Sequence, residues 1–153
     1  MNAEQRLQAA GIVLPTASSP ASHYANYVRI HGFLFVAGKG PAGTGGVKPV
    51  GKMGSAYTIE EGYAFARQAG IEVLAVLKEA LGSLDDVTQV VKIQGFINAE
   101  PHFDQHHKVL DGCSDLMAEV FGEKGVHARS VLGANSLRDN LPVIIDAIFA
   151  VAP

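Results

Sequence analysis

Charge is scarce in this chain. Asp, Glu, Lys and Arg make up 18% of its 153 residues, against about 25% in an average domain. There is one cysteine, Cys113, and no tryptophan. A single thiol excludes an intrachain disulfide framework and a four-cysteine zinc site, and it suits a reducing compartment. The net charge of −3 argues against a nucleic-acid partner held through a basic field, because phosphate binding needs clustered cations. The polar start, Met1-Asn2-Ala3-Glu4-Gln5-Arg6, has no apolar signal core. No apolar run approaches the roughly 20 residues of a membrane span. The expectation is one soluble, cytoplasmic domain over residues 1–153 with no membrane partner. Hydrophobic residues, by contrast, reach 48%. So many apolar groups with so few charges imply that part of the exterior is hidden against copies of the same chain.

The chain reads as hairpin, helix, strand, helix, strand pair. Residues 2–10 predict a short helix stopped by Gly11, and with the loop that follows they make an N-terminal extension over residues 1–20. Tyr27–Ile30 and Phe33–Ala37 predict strands, with His31-Gly32 as the turn. The second run is apolar at consecutive positions, so both of its faces should be covered. Thr58 and Glu61 form a capping box, and Gly82 supplies a stop. Between them Phe65, Ala69, Val73, Val76, Leu77 and Ala80 trace a helical stripe. Val87–Asn98 predicts a strand, and Pro101 opens a second helix that runs to Gly122–Gly125. Ala128–Leu137 and Pro142–Val151 close the chain as two strands joined by Arg138-Asp139-Asn140. This order predicts an α+β layer, one mostly antiparallel sheet with two helices on one face. The last strand is apolar on both sides, so the sheet face away from the helices must meet something else.

Several constellations invite a chemical reading. Gly46-x-x-x-x-Gly51-Lys52 falls one residue short of a phosphate loop. Met53 follows where a hydroxyl belongs, and no helix starts there, so a plain loop is the better reading. His102 and His106 stand four apart at the head of the second helix, a spacing that can chelate zinc, but no third ligand stands at diagnostic spacing. No metal or cofactor is therefore expected. Cys113 lacks a nearby base or cation in sequence and reads as a small buried apolar residue. Arg129 lies in a strand-like segment almost free of charge. A guanidinium cannot shed its charge, so it needs a protein carboxylate or an anionic ligand. Spacing alone leaves both open, with Asp146 as the candidate protein partner and a bidentate carboxylate as the candidate ligand.

These residues together resemble the YjgF/RidA family of reactive intermediate deaminases. The resemblance is carried by Tyr24, by Phe35-Val36-Ala37-Gly38-Lys39-Gly40-Pro41, by the long helix, by Ala128-Arg129-Ser130 and by Ile145-Asp146-Ala147-Ile148. It spans about residues 20–151. The stretch from Gly112 to Ser130 looks most like a branch labelled endoribonuclease or translation-initiation inhibitor. The resemblance implies a chorismate-mutase-like (ferredoxin-like) fold, a homotrimer with a central barrel, and three clefts between subunits. In each cleft an arginine, here Arg129, would clamp the carboxylate of a 2-imino or enamino acid while water releases ammonia and a 2-keto acid. Tyr24, Ala37, Gly38, Lys39, Ser114 and Val131 match positions bordering that cleft.

The departures shape what activity to expect. The family's water-positioning acid aligns with Ile144, its cysteine with Val131, its serine with Ala37, its glutamine with Lys39 and a helix asparagine with Ser114. Loss of a general base is typically worth 10²–10⁴-fold. Asp146, two residues on and so on the same strand face as Ile144, is a candidate substitute. The alternatives to a deaminase are a trimeric metabolite-binding protein without turnover and the ribonuclease of the branch label. Against the last stand scattered lysines and the absence of an aromatic platform.

Overall fold

The computed structural model describes residues 1–153. Its helices are α1 (Ala3–Ala9), α2 (Ile59–Leu81) and α3 (His106–Phe121). Its strands are β1 (Tyr27–Ile30), β2 (Phe33–Lys39), β3 (Val87–Asn98), β4 (Ala128–Ala134) and β5 (Val143–Val151). The strands form a single sheet of order β1-β2-β5-β3-β4, with three antiparallel pairings and a parallel one between β3 and β4. The architecture is α+β, one mixed sheet with α2 and α3 across one face.

Local sequence accounts for most of these boundaries. His31 and Gly32 both have positive φ, 49° and 79°, the signature of the two-residue turn that matches strand twist. The Thr58 hydroxyl accepts from the Glu61 amide at 3.1 Å, and the Glu61 carboxylate accepts from the Thr58 amide at 3.0 Å. Gly82 ends α2 with φ 79°, a conformation that costs glycine little.

Several expectations need correction, the simplest being that β4 ends at Ala134 and not at Leu137. Helix α3 starts at His106, not at Pro101. Pro101 and His102 lie in a preceding turn, where the Phe103 amide donates to the Glu100 carbonyl. The closing strands are also not a hairpin, because β3 lies between β4 and β5. The crossover through α3 returns the chain parallel to β3, burying the apolar side of that helix, and β5 then pairs on the other side of β3.

The core lies between helices and sheet. Leu74, Leu77, Leu110, Leu116 and Met117 from the helices meet Leu34, Ile93, Ile97, Ile145 and Phe149 from the strands. The two helices touch closely at Gly112, where a Cβ would sit 2.0 Å from the Tyr63 carbonyl oxygen. The opposite sheet face stays uncovered in the single chain. Val28 pairs with Phe35 and Ile30 with Phe33, and all four are exposed, by 42–57%. Both faces of β2 were expected to be covered; one is. Leu132, 49% exposed, extends the same apolar surface on β4 beside Phe96.

Candidate functional site

Cross-strand pairing decides which way Arg129 points. It lies opposite Ile93, which is fully buried under the helices, so its side chain rises on the helix-covered face. There one amino group of the guanidinium meets Asp111 Oδ1 at 2.9 Å and donates to Ser114 Oγ at 3.0 Å. The other donates to the His107 carbonyl at 3.3 Å. Asp146 is opposite Gln94, one residue out of phase, and so faces the uncovered side. The protein carboxylate on Arg129 is thus Asp111 and not Asp146, because one step along a strand reverses the face. The ion pair is partly wet, with side-chain exposures of 27% for Arg129 and 45% for Asp111. Such a pair is worth at most about 1 kcal/mol.

Two further groups complete this cluster. His127 Nδ1 lies 2.6 Å from the Gly125 carbonyl oxygen, and its Nε2 lies 2.9 Å from Ser114 Oγ. Asp111, Ser114, Ala118, Gly125, Val126, His127 and Arg129 line an open groove of about 340 Å³ between α3 and the edge strand β4. Sequence reading passed over His127 and over Asp111 as the arginine's partner. The signal was there in period: His127 and Arg129 are two apart on an extended segment, and Asp111 and Ser114 are three apart on a helix. Cys113, next to Ser114, points the other way. It is fully buried, and that burial pushes its thiol up to about 12 while Arg129 pulls slightly down.

The remaining predicted residues gather elsewhere. Tyr24, Gly38 and Lys39 line a second cleft of about 310 Å³ with Gly40, Pro41, Lys48, Glu72 and Arg138. Lys39 is 6% exposed, and burial holds its ammonium below the ordinary lysine value. Its donors go to the Ser18 carbonyl at 3.2 Å, Ser18 Oγ at 2.9 Å and Asn26 Oδ1 at 2.8 Å. Burial likewise pushes the Glu72 carboxyl up, against the pull of Lys39 and Lys48. Ala37 donates its amide to the Asn26 carbonyl at 2.9 Å. A Cβ on Gly38 would come within 2.9 Å of Ile144 Cγ2. Val131 stays on β4, paired with Gly95 and packed against the core. Between β2 and β4 lie three strand spacings, roughly 14 Å. Within one chain, therefore, Arg129 and Ser114 form one group and Tyr24, Gly38 and Lys39 another, while Ile144, beside Gly38, lies one register step from Ile145, the partner of Lys39, and so faces the other side of the sheet.

The other candidates resolve simply. His102 does not share a helical face with His106, whose ring stands edge-on to Phe103 at 5.1 Å between centroids. No three His, Cys, Asp or Glu side chains converge as metal ligands. Lys52 is spent on the Asn135 carbonyl. No helix is long and apolar enough to cross a membrane.

This sheet and helix arrangement defines a known class. Residues 4–150 match the family described as "YjgF/chorismate_mutase-like, putative endoribonuclease", and the chain belongs to that family. Protein TCP17 of Trypanosoma cruzi is 40% identical over 143 residues, covering 93% of this chain and 89% of TCP17. Two solved structures are similar along almost their whole length. Atu1372 of Agrobacterium tumefaciens, described as of unknown function, is 34% identical with a TM-score of 0.89, covering 97% of this chain and 92% of that one. A protein of Shewanella oneidensis described as a putative endoribonuclease is 32% identical with a TM-score of 0.94, covering 99% of this chain and all of the other.

Proposed function

We propose that the Arg129 groove binds the carboxylate of a small 2-imino or enamino acid and promotes its hydrolysis to a 2-keto acid and ammonia. The observation that carries this reading is the guanidinium itself, held rigid on an edge strand, facing an open groove and only partly neutralised by a wet carboxylate. Its planar fork suits bidentate recognition of a substrate carboxylate. The cleft around Tyr24 and Gly38 completes the site from a neighbouring copy, with Lys39 buried beneath it and bonded to Ser18 and Asn26 of its own chain. The uncovered sheet faces pack together as the central barrel of a homotrimer, which supplies the cover that Val28, Ile30, Phe33 and Phe35 lack.

A second reading, a trimer that binds keto acids without turnover, draws on Ile144, an apolar residue beside Gly38 where the family resemblance calls for an acid. The assay that separates the two measures keto-acid release from imino acids generated in situ by an amino-acid oxidase, beside calorimetric titration with keto acids. Acceleration by the protein that vanishes in Arg129→Ala upholds the deaminase. Arg129-dependent binding without acceleration upholds the binder. Sedimentation showing a monomer at micromolar concentration overturns the shared cleft.

A further inference from the structure

The groove contains a hydroxyl, an imidazole and a guanidinium joined in one chain of hydrogen bonds. The carbonyl of Gly125 can only accept, so at 2.6 Å the Nδ1 of His127 carries a proton. In the neutral ring Nε2 is then a lone pair, and its partner at 2.9 Å is Ser114 Oγ. The Ser114 hydroxyl donates to Nε2, while Arg129 donates to the same oxygen from 3.0 Å. A base oriented by a third group and hydrogen-bonded to a hydroxyl is the arrangement that activates oxygen nucleophiles. The adjacent guanidinium stabilises negative charge as it develops on that oxygen.

The orienting carbonyl is itself clamped. A Cβ on Gly125 would lie 2.2 Å from the Met117 carbonyl oxygen and 3.0 Å from the Ala118 amide nitrogen, so the turn carrying Gly125 is pressed directly onto α3. The imidazole is thereby fixed relative to the helix that bears Ser114.

We propose that Ser114 and His127 are the proton-transfer pair of the Arg129 groove, supplying the general base that the apolar Ile144 cannot. The inference rests on the deaminase reading. Water attacks C2 of the iminium while passing a proton to Ser114 Oγ, and Ser114 passes its own proton to His127 Nε2. The C=N π pair moves to nitrogen, giving a carbinolamine. His127 then returns a proton through Ser114 to the amino nitrogen. As the C–N bond breaks with its electron pair, ammonia leaves, the carbinol oxygen becomes the keto oxygen, and its proton goes back to the pair. Ser114 touches the reacting water and is catalytic; His127 acts through it and Gly125 positions His127.

The oxidase-coupled assay on His127→Ala, Ser114→Ala and Arg129→Lys tests this, with thermal unfolding to confirm that each variant is folded. His127→Ala is expected to lose about 10²-fold or more in kcat with KM within twofold, and added imidazole to restore part of it. Arg129→Lys is expected mainly to raise KM. Wild-type kcat in His127→Ala beside a raised KM in Arg129→Lys would overturn the pair and leave the deaminase standing. No acceleration by the wild type with any imino acid overturns both. Nitrogen-15 spectra of the His127 ring provide a readout independent of turnover: a proton on Nε2 in place of Nδ1 sinks the proposal.

Discussion

Asp111 Oδ1 holds Arg129 Nη1 at 2.9 Å on the groove side of α3, three residues before the serine that receives the same guanidinium. A ligand carboxylate entering the groove meets both the cation it wants and an anion that repels it. Asp111→Asn is therefore expected to tighten keto-acid binding by roughly two- to fivefold, in line with an exposed pair worth at most about 1 kcal/mol. Titration calorimetry checks this. Weaker binding in the variant would show that Asp111 holds the guanidinium in place more than it competes for it.

The contact between α2 and α3 has no slack at Gly112. A methyl group there meets the Tyr63 carbonyl oxygen at 2.0 Å, and backbone cannot rotate aside as a side chain can. Gly112→Ala should cost about 1–3 kcal/mol, which lowers the melting temperature by at least about 2 °C in a chain of this size. An unchanged melting curve would mean the helices separate freely.

Lys39 ties the segment before β1 to the sheet through Ser18 and Asn26. Replacing it by methionine keeps the stem and removes all three bonds. Limited proteolysis between Pro15 and Tyr24 is expected to speed up while the sheet and helices stay resistant. Digestion identical to wild type would mean that the three bonds of Lys39 do not hold this segment in place.

Asp146 faces the uncovered side of the sheet, where burial pushes its carboxyl up against the weaker pull of Lys92. An acid with a raised pKa keeps its proton longer in the folded than in the unfolded chain. Its contribution therefore falls as pH rises from the ordinary aspartate value through the raised one, and the deficit persists above that window. Asp146→Asn should melt higher than wild type at pH 7 and alike at about pH 3, below the ordinary value of about 3.9. A lower melting temperature at pH 7 would mean that Lys92 outweighs the burial.

Short-range signals in the sequence were sufficient for α2, for the β1–β2 turn and for β3. Thr58, Glu61, Gly82 and the His31-Gly32 pair act through neighbours within four residues, and those contacts are the same in any tertiary setting. Pro101 misled because a proline that suits a first helical turn also suits the turn found there. Arg129 stood out as the charge most in need of a partner, since a guanidinium cannot neutralise itself. Which partner it found was decided only in three dimensions. The insertion of β3 between β4 and β5 puts Asp146 one register step out of phase and on the wrong face, while the α3 crossover lays Asp111, Ser114 and His107 over the arginine. Pairing of strands distant in sequence depends on how whole elements pack, and no local propensity encodes it.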